Sequence, residues 1–199
     1  MCYNDNGDYM KVSIGVSNRH VHLKEEDFKT LFGNDAVLEK KKALTQPNQY
    51  ASNSLVSIKT DKSTIENVRV LGPLRDYTQV EISKTDAYKL GLNPPVRNSG
   101  DLQDSENITI IGPNGTIAAH NSCIIATRHI HILPEQLKQY NLEGKETVNV
   151  KINGEKGGII TNVYLKAADN SFFEMHLDTD DANAHLIKNG DIGEIIWKK

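Results

Sequence analysis

The chain contains two copies of the pattern Arg-His-x-His, at residues 19–22 and 128–131. They hold four of its seven histidines, namely His20, His22, His129 and His131. Successive side chains of an extended strand point to opposite faces, so both imidazoles of a pair lie on one face. Neighbouring imidazoles are good ligands for a borderline metal such as zinc. The two copies therefore predict a metal centre assembled from two related halves.

Two further segments carry side chains that suit the same chemistry. Glu81 and His176 each lie on the polar face of a run that alternates polar and apolar residues. A carboxylate and a third histidine joining His129 and His131 would complete a four-ligand zinc site. Arg75 follows a Gly-Pro turn just before the Glu81 segment. Its planar guanidinium suits two-point binding of phosphate.

The composition excludes several classes of protein. The chain has 199 residues, of which 38% are apolar and 25% charged, and a net charge of -3, which gives no reason to expect nucleic acid or an anionic membrane as a partner. Cys2 and Cys123 are too few for a disulfide framework and suit a reducing cytoplasm. Residues 1–10 lack the apolar segment of a signal peptide, and no apolar run approaches the ~20 residues that span a bilayer.

The elements that must position these side chains are mostly short strands. Runs rich in β-branched or alternating apolar residues predict strands at 11–16, 55–60, 68–71, 78–82, 108–111, 123–127, 147–152, 159–166, 172–177 and 192–197. Four brief helices are predicted at 25–32, 85–90, 134–140 and 178–188. Many strands with few short helices predict a mainly β protein of closed or sandwich-like architecture.

A weak internal repeat divides the chain. Each His-x-His pair ends a strand and is followed within a few residues by a short acidic helix. This repeat predicts a first β module at about 11–92 with His20 and His22, and a second at 105–199 with His129 and His131. The Pro-, Asn-, Gly- and Ser-containing stretch 93–104 is the expected linker, and strands exchanged between the modules are compatible with the pattern.

The order of the motifs resembles the propanediol-utilisation phosphotransacylases, also called phosphate propanoyltransferases. The similarity runs from about residue 14 to residue 194 and rests on Ser17-Asn18-Arg19-His20-Val21-His22-Leu23, Leu71-Gly72-Pro73 with Arg75, Thr78-Gln79-Val80-Glu81-Ile82-Ser83, Val96-Arg97, Ser99-Gly100-Asp101-Leu102, Arg128-His129-Ile130-His131 and Glu174-Met175-His176 with Asp178-Thr179-Asp180. Two departures are Lys24, where the family usually has the Ser or Thr of a helix N-cap, and Ile132, where it often has Met.

This resemblance implies a zinc enzyme built from two small β-barrel modules with short capping α-helices. It implies the reversible reaction of propanoyl-CoA, or another short acyl-CoA, with phosphate to give acyl phosphate and coenzyme A. Two zinc ions per chain are expected, and coenzyme A is a substrate. Phosphate is expected to attack the thioester directly, without a covalent acyl-enzyme.

The resemblance also assigns residues. It implies that one metal is held by Glu81, His129, His131 and His176, and a second by His20 and His22, with open positions toward the coenzyme A sulfur or solvent. Arg75 matches the arginine that holds phosphate. The expected contacts with coenzyme A are Ser17, Asn18, Arg19 and Arg128, of which the two arginines alternatively brace the loops.

Two other classes of function compete with this interpretation. A zinc-dependent hydrolase of a thioester or amide would need a general base beside the metal, and Glu174 is the candidate on the ligand-bearing strand. The second competing class is a non-catalytic, zinc-stabilised assembly module. Two ligands at His20 and His22 argue against it, because structural zinc sites are normally closed by four ligands.

The expected setting follows from the same resemblance. The pathway would be 1,2-propanediol degradation in a bacterial cytoplasm, with an acyl kinase or a CoA-acylating aldehyde dehydrogenase as a neighbouring enzyme. The sequence does not fix the oligomeric state, and a homodimer is compatible with it. The short N-terminal segment argues against packaging into a bacterial microcompartment, whose members carry a long amphipathic extension.

Overall fold

A computed structural model describes residues 10–196 of the chain. Cys2 and most of the predicted polar N-terminal segment lie outside these residues. The described residues form two compact units: a contiguous unit, Asn18–Ala126, and a split unit that joins residues 10–17 to residues 127–196. No helix among the described residues combines the length and apolar character needed to cross a bilayer.

The elements of the contiguous unit are β2 (His20–His22), α1 (Glu25–Phe32), β3 (Lys40–Ala43), β4 (Tyr50–Lys59), β5 (Thr64–Gly72), β6 (Gln79–Glu81), α2 (Lys84–Leu90), β7 (Val96–Arg97), β8 (Glu106–Ile111) and β9 (Thr116–Ala126). Six of these strands form a closed barrel in which neighbours follow the order β4-β5-β2-β6-β9-β8, with β8 returning to β4. Strand β3 adds to the edge beside β4, and β7 pairs with β9.

The elements of the split unit are β1 (Met10–Ser17), β10 (His129–Ile132), α3 (Pro134–Gln139), β11 (Thr147–Ile152), β12 (Gly158–Ala167), β13 (Glu174–Asp178), α4 (Thr179–Ala184) and β14 (Ile192–Ile196). Its strands form a closed barrel in the order β1-β13-β10-β12-β11-β14. Each barrel has its own apolar core, which includes Val21, Val70 and Val80 in the contiguous unit and Ile14, Ile130 and Met175 in the split unit. The predicted mainly β fold of two small barrels with short helices is confirmed.

The two barrels repeat one pattern of strand pairing. In each, the strand with the His-x-His pair runs antiparallel to one neighbour and parallel to the other: β2 lies between β6 and β5, and β10 lies between β13 and β12. The place that β9 takes beside β6 and β8 is taken in the split unit by β1, beside β13 and β14. The first strand of the described residues thus completes the barrel that residues 127–196 form.

These units differ from the predicted module boundaries. Strand β1 was expected in the module at 11–92, but its parallel partner β13 draws it into the split unit. Strands β8 and β9 were expected in the module at 105–199, but they close the contiguous barrel. The stretch 93–104 therefore lies inside the contiguous unit, where β7 pairs with β9, and does not join the two units.

Candidate metal centres

His20, His22 and Glu81 converge in the contiguous unit, and their candidate ligand atoms all lie within 4.8 Å of one another. The antiparallel register of β2 and β6 sets His20 directly opposite Glu81. The Nε2 of His20 lies 3.4 Å from the Oε2 of Glu81, and both histidines are buried. Strand alternation puts the two imidazoles on one face, with Val21 between them in the barrel core.

His129, His131 and His176 converge in the same way in the split unit, again with ligand atoms within 4.8 Å. The register of β10 and β13 places His129 opposite His176. The Nε2 atoms of His129 and His131 are 3.2 Å apart, and the three rings have centroid separations of 4.8, 4.9 and 5.2 Å. Three imidazoles this close form the donor set of a zinc site with an open position.

The first histidine of each pair is oriented by its own backbone. The Nδ1 of His20 lies 2.9 Å from the carbonyl oxygen of Asn18, and the Nδ1 of His129 lies 2.8 Å from that of Thr127. A histidine that donates Nδ1–H to a carbonyl presents an unprotonated Nε2, which is the form that ligates a metal. The two contacts are equivalent, since each carbonyl is two residues before its histidine.

Electrostatics keep two of these imidazoles neutral. Burial, the neighbouring His20 and the positive charge of Arg75 hold the pKa of His22 well below its usual value. Burial and the charges of His129 and His176 lower the pKa of His131 to about 3. Neutral imidazoles at physiological pH are ready to bind a metal without first losing a proton.

His20 differs from them, because the negative charge of Glu81 acts on it. Burial disfavours the charged imidazole, but the carboxylate of Glu81 and the carbonyl of Asn18 outweigh burial, so the pKa of His20 is raised. When His20 is protonated, its ion pair with Glu81 holds these two side chains together.

One buried polar atom, on His22, supports a bound metal at this group. The Nδ1 of His22 is buried and has no hydrogen-bond partner among the described residues. A buried polar atom without a partner is costly, and such atoms often mark the place of a ligand or ion. The donor sets of the two groups, two imidazoles with a carboxylate and three imidazoles, both fit zinc.

The structure groups Glu81 differently from the sequence interpretation. Glu81 was expected to share a metal with His129, His131 and His176. Instead β6 pairs with β2, so Glu81 faces His20 in the contiguous unit, and the three remaining histidines form a group of their own in the split unit. Six predicted ligands thus form two groups of three.

Arg75 lies beside the group in the contiguous unit. Its Nη1 donates to the hydroxyl of Tyr77 at 2.9 Å and to the Oγ of Ser99 at 3.0 Å. Its charge is close enough to lower the pKa of His22. The guanidinium is therefore held in one orientation next to a candidate metal group, as an anion-binding residue needs to be.

Arg19 and Arg128 pair with aspartates in the first turns of α2 and α4, the helices that follow Glu81 and His176. Arg19 Nε lies 2.7 Å from Asp86 Oδ2, and Arg128 forms a two-point pair with Asp181 at 2.6 and 2.8 Å. In each helix the aspartate stands three residues after an N-cap side chain to which it donates its backbone N–H, Ser83 in α2 and Asp178 in α4. These contacts correspond to the bracing role, and binding of coenzyme A by either arginine stays a prediction.

The remaining residues discussed from the sequence are Ser17, Asn18 and Cys123. Ser17 ends β1 opposite Asp178, and the side-chain oxygen of Asn18 accepts from the backbone N–H of Arg19 at 2.8 Å. Their contact with coenzyme A stays a prediction. Cys123 is fully buried, and burial raises the pKa of its thiol to about 12, so it is an inert core residue.

Sequence reasoning gave no role to Gln79, although the structure places its side chain against Glu81. Its Nε2 donates to Glu81 Oε1 at 2.6 Å and to Ser99 Oγ at 2.8 Å. The signal was present, because Gln79 precedes Glu81 by two residues and so shares its face of the strand.

Comparison with known proteins identifies the family of the chain. The model of the phosphate propanoyltransferase family matches residues 13–188 of the chain. A phosphate propanoyltransferase from Rhodopseudomonas palustris is 44% identical over 191 residues, covering 96% of this chain and 84% of the relative. One from Thermotoga maritima is 47% identical over 186 residues, covering 93% and 89%. One from Priestia megaterium is 46% identical over 182 residues, covering 92% and 84%. The chain belongs to the phosphate propanoyltransferase family.

Proposed function

We propose that the protein transfers a short acyl group, such as propanoyl, from coenzyme A to inorganic phosphate, and that it catalyses the reverse reaction. The observation that carries this proposal is the placement of Arg75 beside the group of His20, His22 and Glu81. An arginine next to a metal-binding group suits a reaction between an anion and a polarised carbonyl. The names of the similar proteins support the same activity.

Two zinc ions per chain complete this proposal, one held by His20, His22 and Glu81 and one by His129, His131 and His176. Bound zinc would supply Lewis acidity toward the thioester carbonyl and affinity for the thiolate of coenzyme A. The backbone carbonyls of Asn18 and Thr127 fix the ring orientation of His20 and His129 for this purpose.

Arg75 has the task of bringing phosphate to the thioester. Phosphate and the phosphates of coenzyme A are all anionic, so a fixed guanidinium offsets their repulsion and holds the nucleophile in attack orientation. A phosphate oxygen forms a bond to the carbonyl carbon, the carbon–sulfur bond breaks, and coenzyme A leaves as the thiolate. No residue needs to carry the acyl group, and the buried Cys123 is unsuited to do so.

Ser17, Asn18, Arg19 and Arg128 are our candidates for contacts with coenzyme A. We also propose that the protein is a cytoplasmic enzyme of 1,2-propanediol degradation, which works next to a CoA-acylating aldehyde dehydrogenase or an acyl kinase. The contacts with coenzyme A and this cellular setting are both inferred from the phosphate propanoyltransferase family.

The decisive experiment measures thiol release from propanoyl-CoA with and without inorganic phosphate, before and after chelation of divalent metal. Release that needs both phosphate and metal is the expected result. Release without phosphate would instead indicate a hydrolase. No release from a folded, metal-loaded sample would leave a non-catalytic zinc-stabilised module as the function.

A further inference from the structure

Gln79 and Glu174 hold the same position in the two units. Each precedes the third member of its group, Glu81 or His176, by two residues on the same strand. Each also lies opposite the second histidine of its pair: Gln79 pairs with His22 and Glu174 with His131. Both are buried, with exposed fractions of 0% and 5%. Buried polar side chains at matching places in a repeat require a reason.

Gln79 is held so that its amide nitrogen faces Glu81. The backbone N–H of Gly100 donates to Gln79 Oε1 at 2.7 Å, which fixes the orientation of the amide. The two N–H groups of Nε2 then donate to Glu81 Oε1 at 2.6 Å and to Ser99 Oγ at 2.8 Å. Because Oε1 of Glu81 accepts from Gln79, the oxygen that faces His20, Oε2, is the one placed to bind a metal.

Glu174 makes the complementary contact in the split unit. Its Oε2 lies 2.9 Å from the Nε2 of His176 and accepts the proton of that nitrogen. Gly15 of β1 leaves room for this carboxylate, since a Cβ at position 15 would lie 3.1 Å from the Cδ of Glu174. A carboxylate that accepts one ring N–H fixes the tautomer of the histidine and leaves the other nitrogen to the metal.

The two hydrogen bonds therefore run in opposite directions, because one is donated to a carboxylate and the other is accepted from an imidazole. A carboxylate ligand is paired with an amide donor, and an imidazole ligand is paired with a carboxylate acceptor. We propose that Gln79 and Glu174 are positioning residues, each of which orients the third metal ligand of its own unit. This inference rests on the metal binding of the proposed function.

The first test measures zinc affinity by competition with a chromophoric chelator, independent of turnover. In Gln79→Met one of the two zinc ions should bind about 10–100-fold more weakly, as is typical when an outer hydrogen-bond partner of a ligand is lost. Glu174→Met should weaken the other zinc ion by a similar factor. The matched control is Gln46→Met, the same change at a buried glutamine in the turn between β3 and β4, which should leave both affinities unchanged.

A sharper test exchanges the hydrogen-bond donor and acceptor between positions 79 and 81. Gln79→Glu puts two carboxylates side by side and should lose one zinc ion, whereas the double variant Gln79→Glu with Glu81→His copies the Glu-x-His of residues 174–176 and should bind two again. The absorption spectrum of the cobalt(II)-substituted protein should change from that of the wild type, because a nitrogen replaces an oxygen ligand.

The outcomes separate this inference from the proposed function. Wild-type affinity in Gln79→Met and Glu174→Met, or a double variant that binds no better than Gln79→Glu alone, would overturn the positioning role while leaving the enzyme intact. A wild-type protein that binds no zinc would overturn both. Since the double variant gains binding, its result cannot be attributed to a loss of folding.

Discussion

Arg19 and Asp86 form an ion pair that joins the residue before β2, the strand with the first His-x-His pair, to α2, the helix that follows Glu81. The Nε–Oδ2 distance is 2.7 Å, and the side chain of Asp86 is 7% exposed while that of Arg19 is 33% exposed. The pair spans 67 residues of sequence, so it holds together two elements that are distant in the chain. Arg128 and Asp181 repeat the relationship in the split unit.

We expect Arg19→Ala to lower the free energy of unfolding by about 1–3 kcal/mol, because it leaves the nearly buried carboxylate of Asp86 without its charged partner. The matched control is Lys29→Ala. Lys29 pairs with Glu25 at 2.6 Å, but these side chains are 44% and 68% exposed, so this loss should be much smaller than that of Arg19→Ala. Urea unfolding measures both, and equal losses would contradict a special role for the Arg19 pair.

Replacement of one histidine in each group should remove the metals separately. His20→Ala and His129→Ala should each lower the zinc content from two ions per chain to one, because the two groups share no residue. Metal analysis after dialysis, with the phosphate-dependent release of thiol measured in parallel, checks both. Full activity and two bound ions in His129→Ala would remove the three-histidine group from the proposed site.

Arg75→Ala should reduce the phosphate-dependent rate by about 10²–10³-fold, a typical loss when one charged donor is removed from a site of acyl transfer. The apparent KM for phosphate should rise, while coenzyme A still binds. Tyr77→Phe is the control, since Ser99 still accepts a hydrogen bond from Arg75 when the hydroxyl of Tyr77 is gone. An Arg75→Ala enzyme with normal turnover and an unchanged KM for phosphate would exclude the residue from the mechanism.

The metal-free protein should lose stability as the pH falls below about 6.5. The pKa of His131 is lowered to about 3 in the folded protein, so the unfolded chain takes up this proton first, and His22 acts in the same direction. His131 alone contributes a loss of about 2 kcal/mol by pH 5. His20, whose pKa is raised, offsets part of it.

Urea unfolding of the metal-free protein at pH 7 and pH 5 measures this dependence. In His131→Gln the loss between the two values should be smaller, because the buried imidazole is gone. Equal stability of the wild type at both pH values would show that the burial of His22 and His131 is not linked to folding in this way.

The ends of α2 and α4 offer a test of backbone strain. Leu92 and Ile187 each donate a backbone hydrogen bond of 2.9 Å into the last turn, and the residue before each has a left-handed conformation. That residue is Gly91 after α2 but Leu186 after α4, with φ of 55° and a side chain that is 57% exposed. Leu186→Gly should therefore raise the free energy of unfolding, by about 0.5–1 kcal/mol. The reciprocal Gly91→Ala should lower it by about 1 kcal/mol or more.

Local patterns in the sequence predicted the local structure well. Helix α1 begins and ends at the predicted residues, and α2 and α3 are each within one residue at either end. The last helix was predicted to reach Lys188 but ends at Ala184, because Leu186 leaves the helical conformation. Lys24, predicted to lack an N-cap side chain, indeed makes no capping bond.

Pairing between distant strands was the part that the sequence did not reveal. The alternation of side chains predicts which face of its own strand His20 or Glu81 occupies. It does not predict that β2 and β6 are neighbours. For the same reason the expected grouping of Glu81 with His129 was wrong, and β1 was assigned to the wrong unit. Gln79 was missed because its importance depends on a side-chain contact and not on a residue type that binds metals.

The position of β1 also bears on how the chain is made. On the ribosome, Asn18–Ala126 emerges as one piece and has every strand that its barrel requires. Strand β1 emerges earlier still, but its partners β13 and β14 are synthesised only after the whole of Asn18–Ala126. Strand β1 must therefore remain without these partners until β13 and β14 have been made, and the three-histidine group forms only after His176 has been synthesised.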